Sequence, residues 1–174
     1  MKTFIRITMA LLLMISFTSC DELDELTEVD FDTTLNENLN VSVPVGDNLA
    51  LNETMVVNMI NDDTEDYMDL LESVRITSFT YQLINFTGDA EGTIVGTFEA
   101  DGVTLLNHDM VVKDEVDAGT VFEVTDVSLL NSIASKLKNG NNVFIGIAGN
   151  STCEEEMNFT IAMTIMLDIT ADAL

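Results

Sequence analysis

One histidine, His108, and two cysteines, Cys20 and Cys153, are the residues through which this chain could do nucleophilic or acid–base chemistry. A cysteine nucleophile needs a neighbouring base, and a lone histidine can serve only one such site. His108 falls in phase with Leu106, Met110 and Val112, which is the spacing of side chains on one face of a strand, so a packed or edge-strand residue is predicted rather than a general base. Cys153 is followed by Glu154, Glu155 and Glu156, whose charges disfavour a thiolate; a structural, inert thiol is expected. The sequence has no G-x-S-x-G elbow, phosphate-binding loop or dinucleotide fingerprint. Among 31 acidic residues, paired carboxylates have no diagnostic value for glycosidase-type chemistry. The expectation is a chain that is not an enzyme, with no catalytic residue.

Metal chemistry receives one partial signal. Asn61, Asp62, Asp63, Glu65, Asp66, Asp69 and Glu72 crowd into one segment, and Glu72 is twelfth counting from Asn61, where a calcium loop places its bidentate glutamate. The sixth position is Asp66, where such a loop needs glycine for its turn, so a helix N-terminus bearing solvated acids is expected instead. No metal ligand and no cofactor are predicted.

Cys20 belongs to a different chemistry. Lys2 and Arg6 precede an apolar run from Met9 to Ile15, and the small polar residues Ser16, Thr18 and Ser19 follow it. That run is too short to span a bilayer, which takes about 20 largely apolar residues. The series has the layout of a secretory signal with its cleavage region. Phe17, Thr18, Ser19 and Cys20 resemble the lipobox of bacterial lipoproteins in the relaxed form found in Bacteroidota, although the family prefers Leu at the position of Phe17 and a small residue at that of Thr18. The resemblance implies cleavage before Cys20 and lipid attachment at its sulfur. Two or more acyl chains hold a protein to a membrane stably, because each buried CH₂ contributes about 0.8 kcal/mol.

Asp21, Glu22, Asp24 and Glu25 then resemble the acidic export signal that sends Bacteroidota lipoproteins to the outer face of the outer membrane, interrupted here by Leu23. Asp21 also fits the rule by which other bacteria retain lipoproteins at the inner membrane. Asp32, Thr33 and Thr34 resemble the short acceptor motif of Bacteroidota O-glycosylation.

Charge excludes some partners. All 31 acidic residues follow Cys20, and removal of a signal would leave only Arg75, Lys113, Lys136 and Lys138 as bases, a net charge of −27 against −25 for the whole chain. Nucleic acid and anionic lipid surfaces are disfavoured, since both require clustered Lys and Arg. Self-repulsion of this size costs stability at low ionic strength and motivates a saline habitat or a cationic partner.

These residues must be positioned by strands. Val29, Phe31, Thr33 and Leu35, then Leu39, Val41 and Val43, alternate with polar neighbours, as do Leu49, Leu51, Met55, Val57 and Met59, and the long series Met157 to Ile169. Between Val74 and Phe86 the apolar phase slips near Ser78, which predicts a β-bulge. Thr93 to Ala100, Val103 to Val112, Thr120 to Val127 and Val143 to Ala148 supply further strands, with turns at Gly88–Asp89, Asp101–Gly102, Asp117–Gly119 and Gly149–Asn150. Two helices are expected: one starting at Asp63 with Tyr67, Leu70, Leu71 and Val74 on one face, and one capped by Ser128, with Leu130, Ile133, Ala134 and Leu137 on one face and a stop at Gly140. The near absence of aromatic girdle residues, with no Trp and only Tyr67 and Tyr81, sets aside a transmembrane barrel.

The residues therefore predict an all-β chain, an antiparallel β-sandwich, immunoglobulin-like or jelly-roll-like, of about eight strands with two short helices. A lipoprotein signal peptide is expected over 1–19, a lipidated Cys20 with an acidic tether over 20–28, and the sandwich over 29–174. The lipobox resemblance implies a membrane-anchored, surface-exposed lipoprotein on the outer membrane, with the periplasmic face as the alternative, acting as a non-enzymatic binding or structural module. The alternatives are a surface hydrolase or calcium-dependent enzyme, or a surface-fibre subunit in which the Met157–Ile169 strand adds to a neighbour's sheet edge. The membrane is the one partner expected, through the lipid; no residue names a protein or glycan partner or an oligomeric state.

Overall fold

The computed structural model describes residues 28–172, so the predicted signal peptide, Cys20 and most of the acidic tether lie outside the described residues. In chain order the elements are β1 (Glu28–Val43), β2 (Gly46–Val57), a single 3-10 turn (Glu65–Tyr67), β3 (Leu71–Thr87), β4 (Thr93–Ala100), β5 (Val103–Val111), α1 (Val112–Ala118), β6 (Val121–Glu123), α2 (Val127–Lys138), β7 (Val143–Cys153) and β8 (Met157–Asp172). They form two four-stranded sheets, β1-β8-β3-β6 and β2-β7-β4-β5. Every neighbouring pair is antiparallel.

The sheets pack face to face, and the core lies between them. Chain neighbours β1 and β2, β3 and β4, β5 and β6, and β7 and β8 occupy equivalent places in opposite sheets. This is the strand order of a jelly roll, and it decides between the two sandwich types that the alternation alone left open. The period-2 pattern dictates which side chains enter: in β8, Met157, Phe159, Ile161, Met163, Ile165, Leu167 and Ile169 are all buried. β1 pairs with β8 without a shift from Glu28–Asp172 to Val43–Met157.

The predicted bulge is present. The pairing of β3 with β8 shifts between Ile76 and Ser78, which lets Val74 and Ile76 on one side of the slip and Phe79, Tyr81 and Leu83 on the other all face inward. Two edge strands carry an acid in an otherwise apolar inward phase. Glu37 falls in phase with buried Leu35 and Leu39 on β1, and Glu53 with Leu51 and Met55 on β2. A charge turned inward resists the addition of a further strand, because a continued sheet would have to bury it.

Five expectations are corrected. The helix read from Asp63 onward is only the 3-10 turn, and Leu71 already belongs to β3, opposite Ala171. The Asn61 side chain accepts hydrogen bonds from the backbone of Asp63 and Thr64, a side-chain turn that competes with helix. The strand read to Val112 gives way to α1, which stops at Gly119 with φ at +61°. Its first residue, Val112, is fully buried, so the same apolar position serves either element.

Asp126, rather than Ser128, caps α2, its carboxylate accepting from Ser128 N–H at 2.8 Å and Leu129 N–H at 3.2 Å, and the strand expected from Thr120 to Val127 shortens to β6. The buried face of α2 is Leu130, Ile133, Ala134 and Leu137, as its spacing predicts. Finally, the turn expected at Gly149–Asn150 is the middle of β7. Gly149 lies opposite Gly96, and a Cβ on it would meet Val95 O at 2.4 Å, so glycine here marks close backbone contact rather than a turn.

Candidate functional site

His108 stands on β5, the edge of the second sheet, and is 8 % exposed. Its Nε2 is hydrogen-bonded to the hydroxyl of Tyr81, which comes from β3 in the opposite sheet. Phe122 of β6 stacks on Tyr81 at 5.1 Å between centroids and meets the imidazole edge-on at 4.9 Å, while Phe98 covers Tyr81 at 4.0 Å. Burial in this aromatic box lowers the His108 pKa, with the Glu115 charge opposing, and burial also raises that of Tyr81. Both groups are therefore neutral near pH 7, and the tyrosine O–H can donate to Nε2. The pair joins the two sheets; it has no free face toward a substrate.

Cys153 is buried at the end of β7, its thiol 3.3 Å from the Pro44 carbonyl. The structure does not bring it to His108. His108 lies opposite Gly96, Gly96 opposite Gly149, and Cys153 is four residues further along β7, about 16 Å away by ordinary strand spacing. A Cys–His nucleophilic pair does not form.

The acidic segment folds into a hydrogen-bonded turn. Asn61 Nδ2 donates to Thr33 Oγ1 at 3.1 Å, Thr33 Oγ1 donates to Asp63 Oδ2 at 3.0 Å, and Thr64 is fully buried with its hydroxyl on the Met59 carbonyl. Among the described residues no three His, Cys, Asp or Glu side chains converge as a metal ion requires. The same contacts occupy the hydroxyl of the Asp32–Thr33–Thr34 motif, and Thr33 is 5 % exposed. A glycosyltransferase could not reach it in the folded domain.

A groove of about 520 Å³ lies between the first half of β3, the end of β6 and the N-terminal turns of α2. Such a volume lies within the range of ligand sites. Buried Ile76, Val124 and Leu130 form its apolar floor, and Val127, 67 % exposed, stands at its side. Thr77, Ser78, Thr125 and Asn131 supply hydroxyl and amide groups, and Arg75 and Glu123 supply one charge of each sign. The bulge at Thr77 lies in this wall, so the phase slip near Ser78 was the one sequence signal that pointed here. Nothing in the sequence brought Arg75, Glu123 and Asn131 together, because they come from β3, β6 and α2.

Compared with known proteins, the chain matches no family model and no curated protein sequence. Its class is defined by the fold: a two-sheet jelly-roll β-sandwich with an open groove beside β3.

Proposed function

We propose that this chain is a lipid-anchored protein of a bacterial cell envelope, displayed outward from the outer membrane, whose sandwich binds a partner or serves as a structural module without doing chemistry. The observation that carries the anchoring is Cys20 at the end of a charged, apolar and small-residue series. The non-enzymatic reading is supported by the two reactive side chains of the domain. His108 is sealed against Tyr81, and Cys153 is sealed against Pro44 about 16 Å away. The groove offers hydroxyl, amide and charged groups, which suit recognition, and its walls hold neither a histidine nor a cysteine.

A fibre built through Met157–Ile169 finds no support, because β8 is interior and β1 and β3 take up both of its edges.

The test is surface proteolysis of intact cells, comparing the wild type with Cys20→Ala, together with intact mass. The expected result is a mass increased by the acyl chains, a domain cleaved from outside, and release of the Cys20→Ala chain from the membrane. An unmodified mass for the wild type would refute the anchor, and a lipidated domain protected from protease would place it on the periplasmic face.

A further inference from the structure

β3 has β8 as a ladder partner along nearly its whole length, but β6 only at Thr80, Tyr81 and Gln82, with one more bond from Val124 N–H to the Phe79 carbonyl. From Ser78 back toward Leu71, no described strand lies along the second edge of β3. α2 continues in the direction of β6 and passes beside this stretch, its Lys138 ammonium donating to the Glu72 carbonyl. The helix leaves the groove open between itself and the strand.

We propose that the groove takes an extended polypeptide segment of another protein, which adds as a strand to the open edge of β3 and places a basic side chain at Glu123 and an acidic one at Arg75. This deepens the reading of the domain as a binding module and rests on it. A strand edge offers main-chain donors and acceptors at a fixed repeat, and an extended peptide satisfies them. The apolar floor of Ile76, Val124 and Leu130 can receive every second side chain.

Charge then sets the partner's chemistry. Arg75 and Glu123 are both exposed, and among the described residues neither forms an ion pair. Glu123 lies opposite Thr80, and across the bulge at Thr77 the stretch from Arg75 to Thr80 spans only four positions of β8, Asp168 to Thr164, so the two charges stand about 13 Å apart along the strand. Every pair in this sheet is antiparallel, and a segment that continues the line of β6 enters at Glu123 and leaves at Arg75. Its basic residue therefore precedes its acidic residue by about four positions, an even number that keeps both on the outer face while the residues between them alternate toward the floor. A bulge and a covering helix are also devices that close a sheet edge. Closure would have filled the space that remains here.

The experiment uses the full chain carrying Cys20→Ala, so that neither lipid nor membrane enters the measurement. The probe is a blocked peptide, Lys-Val-Thr-Val-Asp, titrated by calorimetry, with Asp-Val-Thr-Val-Lys as the control and amide hydrogen exchange as a second readout. The expected result is saturable binding of the Lys-first peptide and slowed exchange at Ile76 to Ser78. Arg75→Glu and Glu123→Lys should each weaken binding roughly tenfold, and the two together should prefer the control peptide.

No saturable binding at millimolar peptide, or equal binding by the charge-reversed chains, overturns the proposal. So does a neutral oligosaccharide, or a second copy of the chain, that competes for the groove while the peptide does not. Because the anchor is absent from the assay, failure here leaves the lipoprotein reading standing, and failure of the protease test leaves this one standing.

Discussion

Replacing His108 should flatten the dependence of folding stability on pH across the range in which an imidazole titrates. His108 is the only histidine, the side-chain type whose ordinary pKa falls between about pH 5 and 8. Burial against Phe122 and Tyr81 depresses the folded pKa of His108, and the Glu115 charge offsets this only in part. In the unfolded chain the imidazole returns to about 6.5. As pH falls below that value, the unfolded chain takes up a proton that the folded chain refuses, so stability is lost on acidification. The loss continues until the folded pKa is passed, with a limiting slope of about 1.4 kcal/mol per pH unit. Above about pH 7 both states are neutral at this site and the contribution is flat.

Urea unfolding followed by circular dichroism at steps between about pH 5 and 7.5 measures the slope. The wild type should lose stability as pH falls through the ordinary histidine range, at no more than about 1.4 kcal/mol per pH unit, and His108→Gln should lose none of this component, whatever its absolute stability. Tyr81→Phe makes a separate prediction: it leaves Nε2 buried without its donor and should cost about 1–3 kcal/mol at pH 7. Parallel wild-type and His108→Gln curves would refute the reasoning. So would an NMR titration that placed the His108 pKa at or above its usual value.

Three further outcomes are expected. Gly149→Ala should destabilise the fold by about 2–4 kcal/mol in thermal or urea unfolding, because its Cβ would meet the Val95 carbonyl at a φ of +153°. At Gly102, where a Cβ meets nothing within 4 Å, the same change should cost only about 1–2 kcal/mol, and equal losses at the two sites would sink the close-contact account. Glu37→Val with Glu53→Val removes the inward charges from both edge strands and should cause concentration-dependent association in sedimentation; a variant monomeric at every concentration would show that these acids do not guard the edges. The melting temperature should rise between low and physiological salt, since 31 acids face few bases, and an unchanged value would count against net repulsion as a cost to this fold.

The sequence by itself determined the class of fold, because strand alternation is local. The pleat sends residues i and i+2 to one face, so Val29 to Val43 and Met157 to Ile169 announced their buried sides without any partner. The slip near Ser78 was legible for the same reason: a bulge shifts the phase within one strand. The spacing of Leu130, Ile133, Ala134 and Leu137 likewise gave α2 its face.

Only the tertiary structure decided what depends on partners. Leu71 has the spacing of a helix but pairs with Ala171, because the gain from extending a central ladder outweighs a weak local preference. Gly149 reads as a turn until Gly96 is set against it, and the sandwich type waited on strand order, which no single segment encodes. The union of His108 with Tyr81, the separation of His108 from Cys153, and the groove shared by β3, β6 and α2 all join residues distant in the chain. Periodicity carries the direction in which a side chain points, and only the packing of one sheet on the other determines what it meets.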